Sequence, residues 1–153
     1  MRNKNNKSSG FTIIEVLIVL AIAGLIMLIV FLAVPALNRN SHNTVIKNDA
    51  SALAGGFAEY ASNNDGANPA SIDQNGSSVT IGASGTVQSK AKVNASTTVN
   101  ETPAKPSVYA AGQLWWRAGT ACDDTASPRA VAIYYYVEQS GGGSNTPLCV
   151  DGK

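Results

Sequence analysis

The sequence predicts an α+β fold: one long, kinked N-terminal α-helix with its C-terminal half packed on a small antiparallel β-sheet. Three observations carry this. An apolar run from Phe11 to Leu37 passes into an amphipathic helical pattern that lasts to about Asn63. From Ser107 onward the chain is rich in β-branched and aromatic strand signals. Two cysteines, Cys122 and Cys149, bracket the strongest of these signals.

The length of 153 residues suits one domain. Twelve of the nineteen Leu and Ile residues lie between Phe11 and Leu37, and the remainder of the chain is rich in Ala, Ser, Asn, Thr and Gly. The core is therefore expected to be thin. The formal net charge is +1, but Arg2, Lys4 and Lys7 all precede the apolar run. From Phe11 onward, eight basic residues face ten acidic ones, a balance of −2. By charge this is not a basic nucleic-acid binder.

The N-terminal stretch SSGFTIIEVLIVLAIAGLIML holds one carboxylate, Glu15. Beyond it, Val16 to Leu37 is free of charge for 22 residues. As a helix that is ~33 Å, enough for a ~30 Å hydrocarbon core. The basic flank Met1 to Gly10 keeps its own end cytoplasmic and places the downstream part outside. A charge inside the bilayer costs at least ~2.5–3.5 kcal/mol, which marks Glu15 as functional. A plain anchor explains the length and leaves Glu15 unexplained. A secretory signal peptide cut at Ala21-Ile22-Ala23 would leave the apolar stretch Gly24 to Leu32 on the mature N-terminus. A third reading uses every feature: a short basic leader ends in Gly10, and Phe11-Thr12-Ile13-Ile14-Glu15 opens an uninterrupted apolar helix.

That pattern, G-F-T-I-I-E-V-L-I-V-L-A-I-A-G, closely resembles the class III leader of type IV pilins and pseudopilins over roughly Lys7 to Leu37. The resemblance implies a pilin-like fold and cleavage by a prepilin peptidase/methyltransferase between Gly10 and Phe11. It implies N-methylation of Phe11 and a register role for Glu15, which would pair with the Phe11 amine of a neighbouring subunit. A free α-amine has a reference pKa of about 7.7–8.0, so it is largely cationic at neutral pH, and methylation keeps the charge. Gly10, lacking a side chain, suits a narrow protease cleft. Gly24 and Pro35 weaken the apolar helix, Gly by ~1 kcal/mol against Ala and Pro by a lost hydrogen bond. Their plain reading is a kink with neighbour packing. The resemblance implies local unwinding between them in a filament.

Five segments follow: a basic leader 1–10, a transmembrane and filament-core helix 11–37, its amphipathic continuation 38–63, a variable loop region 64–106, and an antiparallel sheet with a disulfide-bounded C-terminal region 107–153. In the second half of the helix, Ile46, Ala50, Leu53, Phe57 and Tyr60 or Ala61 form a core stripe. The helix is expected to stop near Ser62-Asn63-Asn64-Asp65-Gly66. Ala67 to Pro106 reads as a long surface connection with one short strand at Ser78-Val79-Thr80-Ile81. Strand signals return at Ser107 to Ala110, at Gln113 to Gly119 and most strongly at Arg129 to Glu138. Gly141-Gly142-Gly143-Ser144 turns the chain, and Pro147 to Asp151 forms an edge. About four antiparallel strands are expected.

An even cysteine pair behind an export-like N-terminus points to one disulfide, with two free thiols as the alternative. A Cys122–Cys149 bridge would also resemble the disulfide-bounded C-terminal region of many pilins. His42, the single histidine, has no evident partner, so a triad or zinc site is not supported. Asp123 and Asp124 are too few for a calcium site. No metal, no cofactor and no catalytic residue is expected. Asn75, Asn94 and Asn100 fit the N-glycosylation pattern, as an Asn- and Ser-rich region does by chance. In Trp115-Trp116-Arg117, one Trp is expected in the core and the other exposed, where it could stack on sugars or bases, with structural packing the favoured reading.

The expected function is a structural subunit of a type IV pilus, serving adhesion, surface motility or DNA uptake. The alternative is a pseudopilin of a type II secretion or competence system. The resemblance implies a homo-oligomeric helical filament as partner, with minor pilins, a membrane platform protein and an assembly ATPase. It implies the cytoplasmic membrane before assembly and a cell-surface pilus afterwards. DNA or a surface glycan would be its further ligands.

Overall fold

Helix formation begins where the sequence offers an N-cap. In the computed structural model, which describes residues 10–83, 86, 88–108, 110–139 and 146–152, helix α1 spans Ile13–Asn63 and includes Pro35. It closes with a bond from the Gly66 N–H to the Ala61 carbonyl, 2.7 Å, while Asp65 and Gly66 adopt φ of 54° and 77°. This left-handed turn satisfies carbonyls that the helix end would otherwise orphan. Among the described residues seven strands follow: β1 Ile72–Asn75, β2 Ser78–Ile81, β3 Ser89–Lys92, β4 Thr98–Glu101, β5 Gln113–Thr120, β6 Ala126–Val137 and β7 Thr146–Asp151. The architecture is α+β and pilin-like. The chain divides into two units, Met1–Leu37 and Asn38–Lys153.

Within the first unit, the described part of the apolar run is exposed along its length, from Phe11 to Leu37. It is long and apolar enough to cross a membrane.

The second unit holds two sheets, ordered β1-β2-β3 and β4-β5-β6-β7. The expected stripe Ile46, Ala50, Leu53, Phe57 and Tyr60 is buried. It packs with Val79, Ile81 and Ala91 of the first sheet and with Leu114, Trp116, Val131, Ile133 and Tyr135 of the second. The Phe57 and Trp116 rings lie 5.3 Å apart and tilted, and each large side chain so buried contributes about 1.5–3 kcal/mol. Gly56 brings α1 close to the first sheet. A Cβ there would stand 2.6 Å from Ile81 Cδ1 and 3.0 Å from the Ala91 Cβ. The Ser89 hydroxyl donates to the Gly56 carbonyl at 2.6 Å.

Side chains also stand in for backbone pairing. The Gln74 carboxamide donates to the Thr97 carbonyl at 2.6 Å and accepts from the Val99 N–H at 2.8 Å, so β1 is linked to β4. Asn43 does the same for Glu138, donating to its carbonyl at 2.9 Å and accepting from its N–H at 2.8 Å. The buried Asp49 carboxylate accepts from the Asn94 N–H at 3.0 Å and the Thr97 hydroxyl at 2.5 Å. This tethers α1 to the turn before β4.

The structure departs from the sequence reading in several places. The region expected to be mainly surface connection carries four strands, not one. β1 and β2 join through a two-residue turn, with Gly76 at φ 58° in the first central position and Asn75 paired to Ser78. The second sheet is not wholly antiparallel, because β4 runs parallel to β5 in register Thr98↔Gln113. The parallel pair is possible because the chain between them is long enough to cross back. The described residues of 107–110 are not strand, and Tyr109 falls outside the described set, as does the expected Gly141–Ser144 turn. Trp116 is core, whereas Trp115 is half-buried with its indole N–H enclosed, not exposed. His42 does have a neighbour, the Glu138 carboxylate at 3.7 Å.

Candidate functional site

The first turn of α1 sets the position of Glu15. Thr12 is the N-cap and Glu15 stands three residues on. The Glu15 carboxylate accepts from the Thr12 N–H and from the Thr12 hydroxyl, each at 2.8 Å, and the Thr12 hydroxyl accepts from the Glu15 N–H at 3.3 Å. This is a capping box, in which each residue satisfies a donor that the helix end leaves open. It also places a carboxylate beside the positive end of the helix dipole. The T-x-x-E spacing is itself a local sequence signature of such a box.

Gly10 and Phe11 precede the helix and are exposed, Phe11 at 90%. A backbone that leaves regular structure just before an apolar helix is open to a processing enzyme. Gly24 lies inside α1, and a Cβ placed there meets nothing within 4 Å. Nothing in this subunit demands glycine at that position. Pro35 lies in the same helix, eleven residues on.

At the other end of the chain, Cys122 in the β5–β6 loop is disulfide-bonded to Cys149 of β7, with Cα atoms 5.7 Å apart. The loop is a tight one. Ala121 N–H donates to the Thr125 carbonyl and Asp124 N–H to the Ala121 carbonyl, each at 3.0 Å. Asp124 adopts φ 64°, a left-handed conformation that Asp tolerates. The Asp123 carboxylate accepts from the Thr125 N–H and hydroxyl, and Asp151 accepts from the Cys122 N–H at 2.9 Å. Both loop carboxylates are therefore engaged, Asp124 lying 3.8 Å from Lys105. Among the described residues, no group of three or more His, Cys, Asp or Glu is placed to hold a metal ion.

Trp115, Tyr134 and Cys149 sit side by side across three strands on the outer face of the second sheet. Burial pushes the Tyr134 phenol above its ordinary range, and the Asp124 carboxylate adds to this while Arg117 opposes it. Tyr135 is raised by burial, and Tyr136 by burial and then by Glu138.

With the capped helix start and the exposed apolar run in place, residues 5–31 match the model described as the prokaryotic N-terminal methylation motif. The chain carries the class III leader of type IV pilins. It matches no curated protein and no solved structure. The methylation motif covers Gly10, Phe11, Thr12, Glu15 and Gly24, and ends before Pro35. A pilin-type motif of this kind indicates a processed structural subunit, with general dependence on a peptidase and assembly machinery. Together with the apolar helix, it suits a membrane-anchored precursor.

Proposed function

We propose that this chain is the structural subunit of a type IV pilus, cut between Gly10 and Phe11, N-methylated on Phe11 and polymerised through its N-terminal helix. The observation that carries the reading is the methylation motif at residues 5–31 together with an apolar helical segment that is exposed from Ile13 to Leu37. An apolar surface of that extent must be covered by lipid or by other copies. Lipid covers it before assembly, with the 38–153 unit outside the cytoplasmic membrane. Parallel helices of neighbouring subunits cover it afterwards, in a cell-surface filament.

Glu15 sets the register of that bundle. Its carboxylate neutralises the Phe11 amine of a neighbouring copy and so fixes how far an incoming helix slides. A buried ion pair adds little net stability, because desolvation offsets the attraction, but it discriminates one register from the next. Gly24 is explained by close approach of a neighbouring helix, and Gly24 to Pro35 is the stretch that unwinds under extension. The partners are further copies, minor pilins, the peptidase/methyltransferase, the membrane platform protein and the assembly ATPase. The filament serves adhesion, surface motility or DNA uptake, with DNA or a surface glycan as its contact.

The test is the intact mass and N-terminal peptide of the protein sheared from native cells. A chain beginning at Phe11 with one added methyl, recovered in the sheared fraction, is the expected result. A chain that keeps Met1, or one that begins at Gly24, would overturn the proposal.

A further inference from the structure

A cleft of about 370 Å³ opens in the 38–153 unit between α1 and the segment at the end of β6. Val45, Ile46 and Tyr136 supply its apolar lining, and His42, Asn94 and Glu138 its polar lining. The Glu138 side chain is only 29% exposed. Its one ion-pair neighbour among the described residues is His42 at 3.7 Å, beyond hydrogen-bond range. Asp49 is buried and bonded to Asn94 and Thr97, which also line the cleft. Glu138 is the one carboxylate among the described residues that line the cleft. An apolar lining with a partly desolvated carboxylate suits a long cationic side chain, whose stem packs while its head pairs.

The same unit carries the opposite charge on residues outside that lining. Lys90 and Lys92 alternate with the buried Ser89 and Ala91, so both lysines point outward from β3, an edge strand of the first sheet. Both are exposed, and among the described residues neither has an ion-pair partner. The cleft lining and the two lysines share no residue, so a contact between them can join copies head to tail. Such heterologous contacts propagate into open helical assemblies unless the rotation closes a ring.

We propose that the cleft receives the Lys90–Lys92 edge from a second copy of this chain, with a lysine ammonium on Glu138 and its stem along Val45, Ile46 and Tyr136. This rests on the self-assembly reading above. The cleft begins at His42, five residues after Leu37 in chain order. Copies joined through their apolar helices hold these units at high local concentration, so a weak contact suffices.

The experiment is a charge swap in the full chain, read as filament sheared from cells. Glu138→Lys, and separately Lys90→Glu with Lys92→Glu, should each lower the yield about tenfold, as loss of one close charge pair allows. All three substitutions together should restore it to within about threefold of the parent, because the pair is re-formed with its signs exchanged. A Glu138→Cys, Lys92→Cys chain treated with a short bis-maleimide should give a ladder of multimers. Parent-like yield in the two charge-reversed variants, loss without restoration, or a dimer in place of a ladder would each overturn the contact while filaments of the parent stand. If the parent chain forms no filament at all, the assembly reading falls and the contact falls with it.

Discussion

The carboxamide of Asn43 makes two hydrogen bonds to the backbone of Glu138, one donated and one accepted, at 2.9 and 2.8 Å. In effect the helix presents one residue of strand to the sheet just beyond β6. Removing one side of such a part-buried pair leaves an N–H and a C=O unsatisfied, at about 1–3 kcal/mol. Asn43→Ala should lower stability by that amount in denaturant unfolding of the detergent-solubilised chain, followed by Trp fluorescence. Asn43→Asp should cost at least as much, because an oxygen would then face the Glu138 carbonyl.

Gly56 and Gly55 make a matched pair. A Cβ at Gly56 meets Ile81 and Ala91, whereas one at Gly55 meets nothing within 4 Å. Gly56→Ala should therefore destabilise by about 1–3 kcal/mol through overpacking. Gly55→Ala should be neutral or stabilise by up to ~1 kcal/mol, since Ala favours helix. The same unfolding measurement, run side by side, checks both.

The Cys122–Cys149 bridge spans a sequence separation of 27. Closing a loop of that size removes denatured-state entropy worth roughly 3–4 kcal/mol. The double Cys→Ser variant should lose about that much stability. A loss under about 1 kcal/mol would mean that the unfolded chain stays compact without the bridge.

Tyr134, Tyr135 and Tyr136 all have phenols raised above the ordinary value. A raised folded-state value means that the native state holds its proton more tightly than the unfolded chain. The resulting stabilisation is complete below the unfolded tyrosine pKa of about 10 and is lost as pH climbs through the folded values. Tyrosinate absorbance during alkaline titration should rise together with the loss of native Trp fluorescence. Full titration of these tyrosines with the fold intact would contradict the burial argument.

A single substitution can separate the capping bond of Glu15 from the register role proposed for it. Gln at that position still closes a capping box with Thr12 but carries no charge. Glu15→Gln and Glu15→Ala should both leave the leader cut and both impair filament growth, by shearing yield. Normal filaments from Glu15→Gln would assign the residue to helix capping alone.

The helical half of the fold was legible because its signals are local. Ile46, Ala50, Leu53, Phe57 and Tyr60 recur at the helical period, and burial follows that period without help from the rest of the chain. β6 was legible because seven residues from Ala130 to Tyr136 are buried and mostly β-branched or aromatic. Of the first sheet only β2 was, over the bounds Ser78–Ile81. β1 and β3 are four residues long and carry Asp73, Gln74, Asn75, Lys90 and Lys92, so propensity reads them as loop. Only Val79 with Ile81, and Ala91 with Val93, show the alternation, and their burial depends on α1 lying against them. The parallel β4–β5 pairing and the cleft beside Glu138 join residues far apart in sequence. No local pattern encodes either. Thr12 is different, since its spacing to Glu15 is a local signature of a capping box.

Gln74 has a consequence beyond holding two sheets together. The outer side of β4 would otherwise offer the Thr97 carbonyl and the Val99 N–H to any extended chain that came near. Sheet edges of that kind template the pairing of foreign strands, and a side chain seated across them removes the template. A chain packed against copies of itself, as proposed above, needs its partners to choose the right surface. Gln74 closes off a wrong one, so that ordered growth is not diverted into amyloid-like stacking.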